Sequence, residues 1–464
     1  MQPTPKAALL PLYLELYDRV SPKNRPAAEA FADTIVAELR GQGLDIARLP
    51  VCRLKAEFDA AVRQAEQAGA CAIVTLHLAY SPSLECIDAL ATTALPIVVC
   101  DTTPAAGYSA ADQAWITHNH GIHGVQDMCN LLLRKRKAFV IEAGHHESPG
   151  VLERVAGHVR AAEGARRMRC ARVGRIGPAF AGMGDFAVES DVLRRAMGVT
   201  TVAAAPENVA GLLPAAGSPE VEREIAADRE RFDCTGANAE SHRLSVETGL
   251  AVRRWIEQER LSAFTVNFLA ITKAGRLPVM PFLEASKAMS RGIGYAGEGD
   301  VLTAALVGAL AQAFGDVSFV EMFCPDWQSD LVFLSHMGEM NLDLAAAKPV
   351  LREKGWSYTD ALPPAAATAA FRPGAATFVD LAPGPDETFT LIAAQVEMVA
   401  GPGEDKLAGS VRGWFRPPLP LGDFLAAYSR AGGTHHAALV YGDVTRQMAS
   451  VAQFMGWRSV TIAA

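Results

Sequence analysis

No run of apolar residues in this 464-residue chain approaches the ~20 needed to cross a bilayer, so no membrane-spanning helix is expected. The eight cysteines are scattered and none forms a C-x-x-C pair, which removes the usual thiolate zinc and dithiol redox motifs. Most lie in apolar settings such as GACAIV and PIVVCD, so buried thiols in a reducing cytoplasm are expected. No basic block is interleaved with aromatics and the net charge is −8, which argues against a nucleic-acid partner. The stretch MQPTPKAALLPLYLELYDRV is interrupted by Pro11, Glu15 and Asp18 and lacks the clean apolar core of a signal peptide. What remains has the balance of a globular protein, half apolar and one-fifth charged, with length for roughly two to four domains.

Short apolar runs alternate with amphipathic stretches through the first third. AALLPLYLELY, ACAIVTLHLA, LPIVVCD and KAFVIEA read as strands, while RPAAEAFADTIVAELRGQG and FDAAVRQAEQAG repeat apolar residues at helical spacing and stop at glycine. This alternation predicts a doubly wound, Rossmann-like α/β domain over residues 1–164. A second such domain is expected over 165–314, opening on the strand RMRCARVGRIG and including the helix SHRLSVETGLAVRRWIEQER. From about 315 the pattern becomes short alternating apolar runs cut by Gly and Pro. A mainly antiparallel, barrel-like β domain over 315–464 is therefore expected.

Gly292, Gly294 and Gly297 in SRGIGYAGEGDVLTA make a formal G-x-G-x-x-G, with Glu321 near the position of a ribose-binding acid. A dinucleotide turn needs a buried strand before it, and MPFLEASKAMSR reads instead as an amphipathic helix. Glu298 would also repel a pyrophosphate there. The favoured reading is a tight loop that projects Glu298 ahead of a helix capped by Asp300. Glu321 ends the apolar run VSFV, His336 interrupts LVFLSHMGEM, and His435 and His436 follow two glycines in YSRAGGTHHAALV. Singly, each is most often a core or surface residue. Together they form an O/N ligand set without thiolate, which favours Mn²⁺, Mg²⁺ or Co²⁺ over structural zinc. Adjacent residues on an extended chain point to opposite sides, so only one of His435 and His436 should bind metal.

Four segments, GYAGEGD-x-x-TAAL, SF-x-E-x-F, L-x-x-LSHM-x-E and AGGTHH, resemble in order the metal-site motifs of the L-arabinose isomerase and L-fucose isomerase superfamily, nearest the arabinose isomerase branch. KLAGSVRGWFRPPLP, FTVNF, GHHESPGVLERVAGHVRAA and, more loosely, HNHGIHG resemble further segments of that family. The resemblance implies Glu298, Glu321, His336 and His436 as metal ligands, with Glu298 and Glu321 also catalytic. It implies His435 and His123 as substrate contacts, His123 reaching a neighbouring subunit's site, and Met183, Phe268 and Arg412 as further pocket residues. Mn²⁺ is the implied cofactor, with Co²⁺ or Mg²⁺ as alternatives, in a homo-oligomer that is hexameric with sites between subunits.

The implied function is a metal-dependent ketol isomerase that interconverts an aldose and a ketose through an enediolate. An epimerase, or an isomerase of an acidic or otherwise modified sugar, would use the same centre. A non-catalytic sugar-binding protein would suit two doubly wound domains but needs export and no four-ligand metal set. The chain departs from the family at VEMF, at the shortened loop CPDWQSD with its unmatched Trp327, and at the histidine set His118, His120 and His123. These departures border the substrate pocket and bear on which sugar is used. His145 and His146 are read as loop residues.

Overall fold

The computed structural model describes residues 4–111, 116–117 and 119–464, so His118 lies outside the described residues. By density of contacts the chain divides into two units, 2–166 and 167–464, and passes from one to the other within the helix Val151–Arg169. The strand expected at RMRCARVGRIG therefore begins only at Arg172, because the residues up to Arg169 still extend that helix.

The N-terminal unit holds five parallel strands: β1 (Lys6–Leu12), β2 (Asp45–Arg48), β3 (Ile73–His77), β4 (Ile97–Asp101) and β5 (Phe139–Ala143). Their order is β2-β1-β3-β4-β5. All five residues of β3 are buried, as in parallel strands covered on both faces. The helix Arg25–Gly41 buries Phe31, Ile35 and Leu39, and the helix Lys55–Gln67 buries Phe58, Val62 and Ala65. Each set follows the three- and four-residue spacing of one helix face.

In the larger unit, β6 (Arg172–Ile176), β7 (Thr200–Ala204), β8 (Ala263–Val266) and β9 (Gly294–Gly297) form a second parallel sheet in the order β7-β6-β8-β9. The glycine-rich stretch read as a loop is thus partly a buried edge strand, β9, and only Glu298 and Gly299 turn away from it. Glycine permits this because the helix Val301–Phe314 lies directly against the strand. A Cβ on Gly294 would stand 2.2 Å from the carbonyl oxygen of Ala304. That helix is buried almost all round, as its VLTAALVGALAQAF sequence demands.

The remaining strands are β10 (Val317–Asp326), β11 (Leu331–Ser335), β12 (Val350–Glu353), β13 (Ala365–Thr368), β14 (Gly374–Pro383), β15 (Phe389–Val399), β16 (Gly413–Arg416), β17 (His436–Tyr441) and β18 (Arg458–Ile462). Six of them close an antiparallel barrel in the order β14-β17-β10-β11-β16-β15, completed by the pairing of β15 with β14. β18 adds to β15 in parallel, and β12 pairs with β13 separately. Phe378, Phe415, Phe424 and Leu439 are among the residues of the core cluster here. β10 does not stop at Glu321. Its ladder with β11 continues through a bulge between Met322 and Cys324 to Asp326, which puts Glu321 in mid-strand.

Gly294→Ala is expected to cost about 1–3 kcal/mol of stability, the usual cost of overpacking a close contact. Urea unfolding of the two proteins checks it, and equal midpoints would show that β9 and its helix yield without strain.

Candidate metal centre

Glu298 follows β9 with φ of +62°, flanked by Gly299 at +83°. A positive φ in a non-glycine residue costs on the order of 1–3 kcal/mol and persists where the surroundings impose it. The turn also lies hard against the imidazole of His336, since a Cβ on Gly297 would sit 2.7 Å from that ring's Cε1. The barrel ladder supplies the other groups. Glu321 on β10 stands opposite His436 on β17 and opposite Ser335 on β11, one residue before His336.

Glu298 Oε2 lies 3.8 Å from Nε2 of both His435 and His436, and Glu321 Oε2 lies 3.9 Å from Nε2 of His336. Two overlapping clusters result, Glu298–His435–His436 and Glu321–His336–His436, each with its candidate ligand atoms within 4.8 Å of one another. Among the described residues these are the groups of three or more that could hold an ion. His145 and His146 belong to neither; His146 instead meets Glu38 through Nδ1 at 2.9 Å.

Both buried imidazoles are oriented from behind. Nδ1 of His436 meets Asp300 Oδ2 at 3.0 Å, and Nδ1 of His336 meets Glu339 Oε2 at 2.8 Å. Tyr295 donates its hydroxyl to Glu339 Oε1, and the Gly338 N–H donates to Glu339 Oε2. Phe319 packs edge-on to both rings, at 4.8 and 5.0 Å, and Phe186 stacks on His436 at 5.1 Å. With Nδ1 engaged, each ring directs Nε2 towards the carboxylates, the carboxylate–histidine arrangement that positions metal ligands.

His435 departs from the expectation that neighbouring histidines face opposite ways. β17 begins only at His436, and Asp185 accepts hydrogen bonds from both the backbone N–H (3.0 Å) and Nδ1 (2.6 Å) of His435. Both rings therefore turn towards Glu298.

Glu298 Oε2, His435 Nε2 and His436 Nε2 are buried without a hydrogen-bond partner among the described residues. Three converging polar atoms left unpaired in a buried place fit a divalent cation with O/N ligands. The two carboxylates differ in character. Burial pushes Glu321 up, whereas at Glu298 burial is outweighed by His435, His436 and His336, which hold it down. Such opposed environments suit acid–base work. For His336 burial is overcome by Glu339, Glu321 and Glu298, and its value rises.

A cavity of about 260 Å³ adjoins Glu298 and His336, with Met183 and Phe268 among its walls. Arg412 is not brought to it; its guanidinium pairs with Asp405, and it lines a second cavity with Trp414 and Phe371. That placement separates Arg412 from the expected substrate contacts, because β16 and the loop before it carry it elsewhere on the barrel. His123 lies in the helix Ile122–Arg134 of the N-terminal unit, its ring 4.2 Å from that of His120. Glu339, Asp185 and Phe186 are missed from sequence alone, as is the second task of Asp300. Glu339 closes the L-x-x-LSHM-x-E motif but had been given no role of its own.

Fold and centre define a class: mixed α/β with parallel sheets and a C-terminal closed antiparallel barrel, bearing a buried carboxylate–imidazole cluster. The family model of the L-arabinose isomerase central domain matches residues 195–314, and that of the L-arabinose isomerase C-terminal domain matches 316–458. The L-arabinose isomerase of Acidothermus cellulolyticus is 27% identical over 375 residues, covering 76% of this chain and 72% of that protein. That of Serratia proteamaculans is 26% identical over 438 residues, covering 89% and 86%. This chain belongs to the arabinose isomerase family.

His435 gives a measurable signature in metal-free protein. Burial alone would depress it, but Glu298 and Asp185 push it up to about 9. Because this exceeds the unfolded value of about 6.5, its contribution to stability is fully present below pH ~6.5 and is lost as pH rises through about 9. An NMR titration should find the imidazole midpoint near 9, falling in Asp185→Asn. A wild-type midpoint at or below 6.5 would contradict this charge arrangement.

Proposed function

We propose that the protein is an aldose–ketose isomerase acting on an open-chain sugar. The observation that carries the reading is the convergence of unpaired Glu298 and His436 atoms beside Glu321 and His336, in a chain of the arabinose isomerase family. We read the larger unit as two domains dividing near residue 315, and both parallel sheets as doubly wound; the order β2-β1-β3-β4-β5 supports this for the first. Cytoplasmic residence is part of the reading, supported by eight free thiols.

Glu298, Glu321, His336 and His436 would hold a divalent cation, Mn²⁺ by preference with Co²⁺ or Mg²⁺ as alternatives, whose chemistry is to polarise the sugar carbonyl and acidify the adjacent C–H. Isomerisation takes a proton from C2 and returns one to C1, while another moves from O2 to O1. Glu298, held ionised, is suited to accept the carbon-bound proton. Glu321, the second carboxylate of the cluster, would take part in returning that proton to C1. His435, held by Asp185 through Nδ1, would donate a hydrogen bond to a substrate oxygen. Asp300 and Glu339 keep the two buried imidazoles directed inward. His123 would reach the site of a neighbouring subunit in a homo-oligomer, for which a hexamer is the proposal.

Glu298→Gln should lower kcat by about 10²–10⁴-fold, the usual contribution of a general base. NMR of an aldose panel in D₂O provides the readout: deuterium entering C1 of the ketose supports isomerisation. Deuterium confined to C2 with no ketose formed would mean epimerisation. Asp300→Ala should weaken metal binding by about 10–100-fold through loss of its contact with His436. Metal content after dialysis, by plasma mass spectrometry, tests it, and full retention would remove Asp300 from this role.

A further inference from the structure

Asp380 is fully buried within β14, where it interrupts the apolar run FVDLA, and the isomerase chemistry gives it no task. A carboxyl in such a place is costly unless its oxygens are paired. Both oxygens go to one residue. Oδ2 accepts the backbone N–H of Thr434 at 2.8 Å, and Oδ1 meets the hydroxyl oxygen of Thr434 at 2.9 Å. Tyr428 donates its hydroxyl to the carbonyl oxygen of the same Thr434 at 2.6 Å. Thr434 and Tyr428 are themselves buried.

Thr434 immediately precedes the two histidines of the centre. The chain reaches it from the helix Leu421–Arg430 through Gly432, at φ of +92°, and Gly433, where a Cβ would stand 2.4 Å from the Tyr428 ring. The next amide, that of His435, goes to Asp185. Two successive N–H groups are therefore captured by carboxyl groups from separate segments, and β17 pairs only from His436. Outside a ladder the alternation of neighbouring side chains does not hold. Both imidazoles can then approach Glu298, at 3.8 Å each.

We propose that Asp380 is a positioning residue of the metal centre, which acts through Thr434 to aim His435 and His436 together at Glu298. Among the described residues no hydrogen bond joins Asp380 to either imidazole, so its effect passes along the Thr434–His435 backbone. The role is one of hydrogen-bond geometry and not of charge. An asparagine there would offer its oxygen to the Thr434 N–H and its own N–H to Thr434 Oγ1, which has the carbonyl oxygen of His436 at 2.9 Å to accept its hydrogen. An alanine would leave both Thr434 groups without their partner on β14. This inference rests on the metal-centre reading within the proposed isomerase, and not on which sugar is turned over.

The test titrates Co²⁺ into wild type, Asp380→Asn and Asp380→Ala, well below every unfolding midpoint. Calorimetry gives the affinity, and the visible absorption of the bound ion reports its ligands and geometry. Asp380→Ala is expected to bind Co²⁺ about 10–100-fold more weakly, with a changed spectrum, as when an outer partner of a ligand is removed. Asp380→Asn should restore both affinity and spectrum. Where Asp380→Ala does not fold, Thr434→Val should show the same weakening and Thr434→Ser, which keeps the hydroxyl, should not. Wild-type affinity and spectrum in the Ala or Val variant, an Asn variant as weak as the Ala one, or a wild type that binds no Co²⁺ would overturn the proposal. An aldose panel is assayed alongside. Turnover by wild type with normal Co²⁺ binding in Asp380→Ala would sink this inference alone. Weakened binding in that variant of a protein that turns over no aldose would support the positioning role and sink the isomerase reading.

Discussion

Asp300 makes two contacts at once. Oδ1 accepts the N–H of Thr303 and so starts the helix Val301–Phe314, while Oδ2 meets Nδ1 of His436. Both partners are fully buried, so neither contact is relaxed by water. An unpaired carboxylate in such a place is costly, and pairing it therefore ties the end of β9 to the start of β17. The parallel sheet and the barrel are locked together at that point, and the candidate centre lies where they lock. Glu298 stands two residues before Asp300 and inherits its position from the same tie.

The second anchor, Glu339 on His336, has the same chemistry but is built from within the barrel segment. The two anchors leave both Nε2 atoms facing carboxylates at 3.8 and 3.9 Å, too long for hydrogen bonds and open to a shared partner. Phe319 packs edge-on against both rings. Strain is local: the left-handed Glu298 sits in a turn whose neighbouring glycines admit an imidazole and a backbone that no side chain could.

Much of the fold was legible in the residues themselves. Helical spacing in RPAAEAFADTIVAELRGQG and the apolar run around the fully buried β3 depend on local pattern, and both elements stand where that pattern puts them. The change to antiparallel texture near 315 likewise follows from Gly and Pro placement. Other features were not legible. Gly294–Gly297 looked like a loop because glycine has no strand preference; pairing to β8 and the close approach of a helix override that. Glu321 looked like a strand end because an acid interrupts an apolar run, yet the ladder to β11 continues through a bulge. The mutual orientation of His435 and His436 depends on Asp185, which lies 250 residues away in sequence.

By itself, then, the sequence determined residue chemistry: an O/N ligand set without thiolates, the helix cap at Asp300, and the periodicities that build each element. These are properties of side-chain type and short-range spacing, which do not change with the rest of the chain. Tertiary structure alone decided that β9, β10, β11 and β17 bring Glu298, Glu321, His336 and His436 together. It also decided that Asp300, Glu339 and Asp185 stand behind the imidazoles. Convergence is set by strand register and by the pairing of buried charges across elements, and both arise only when distant segments meet.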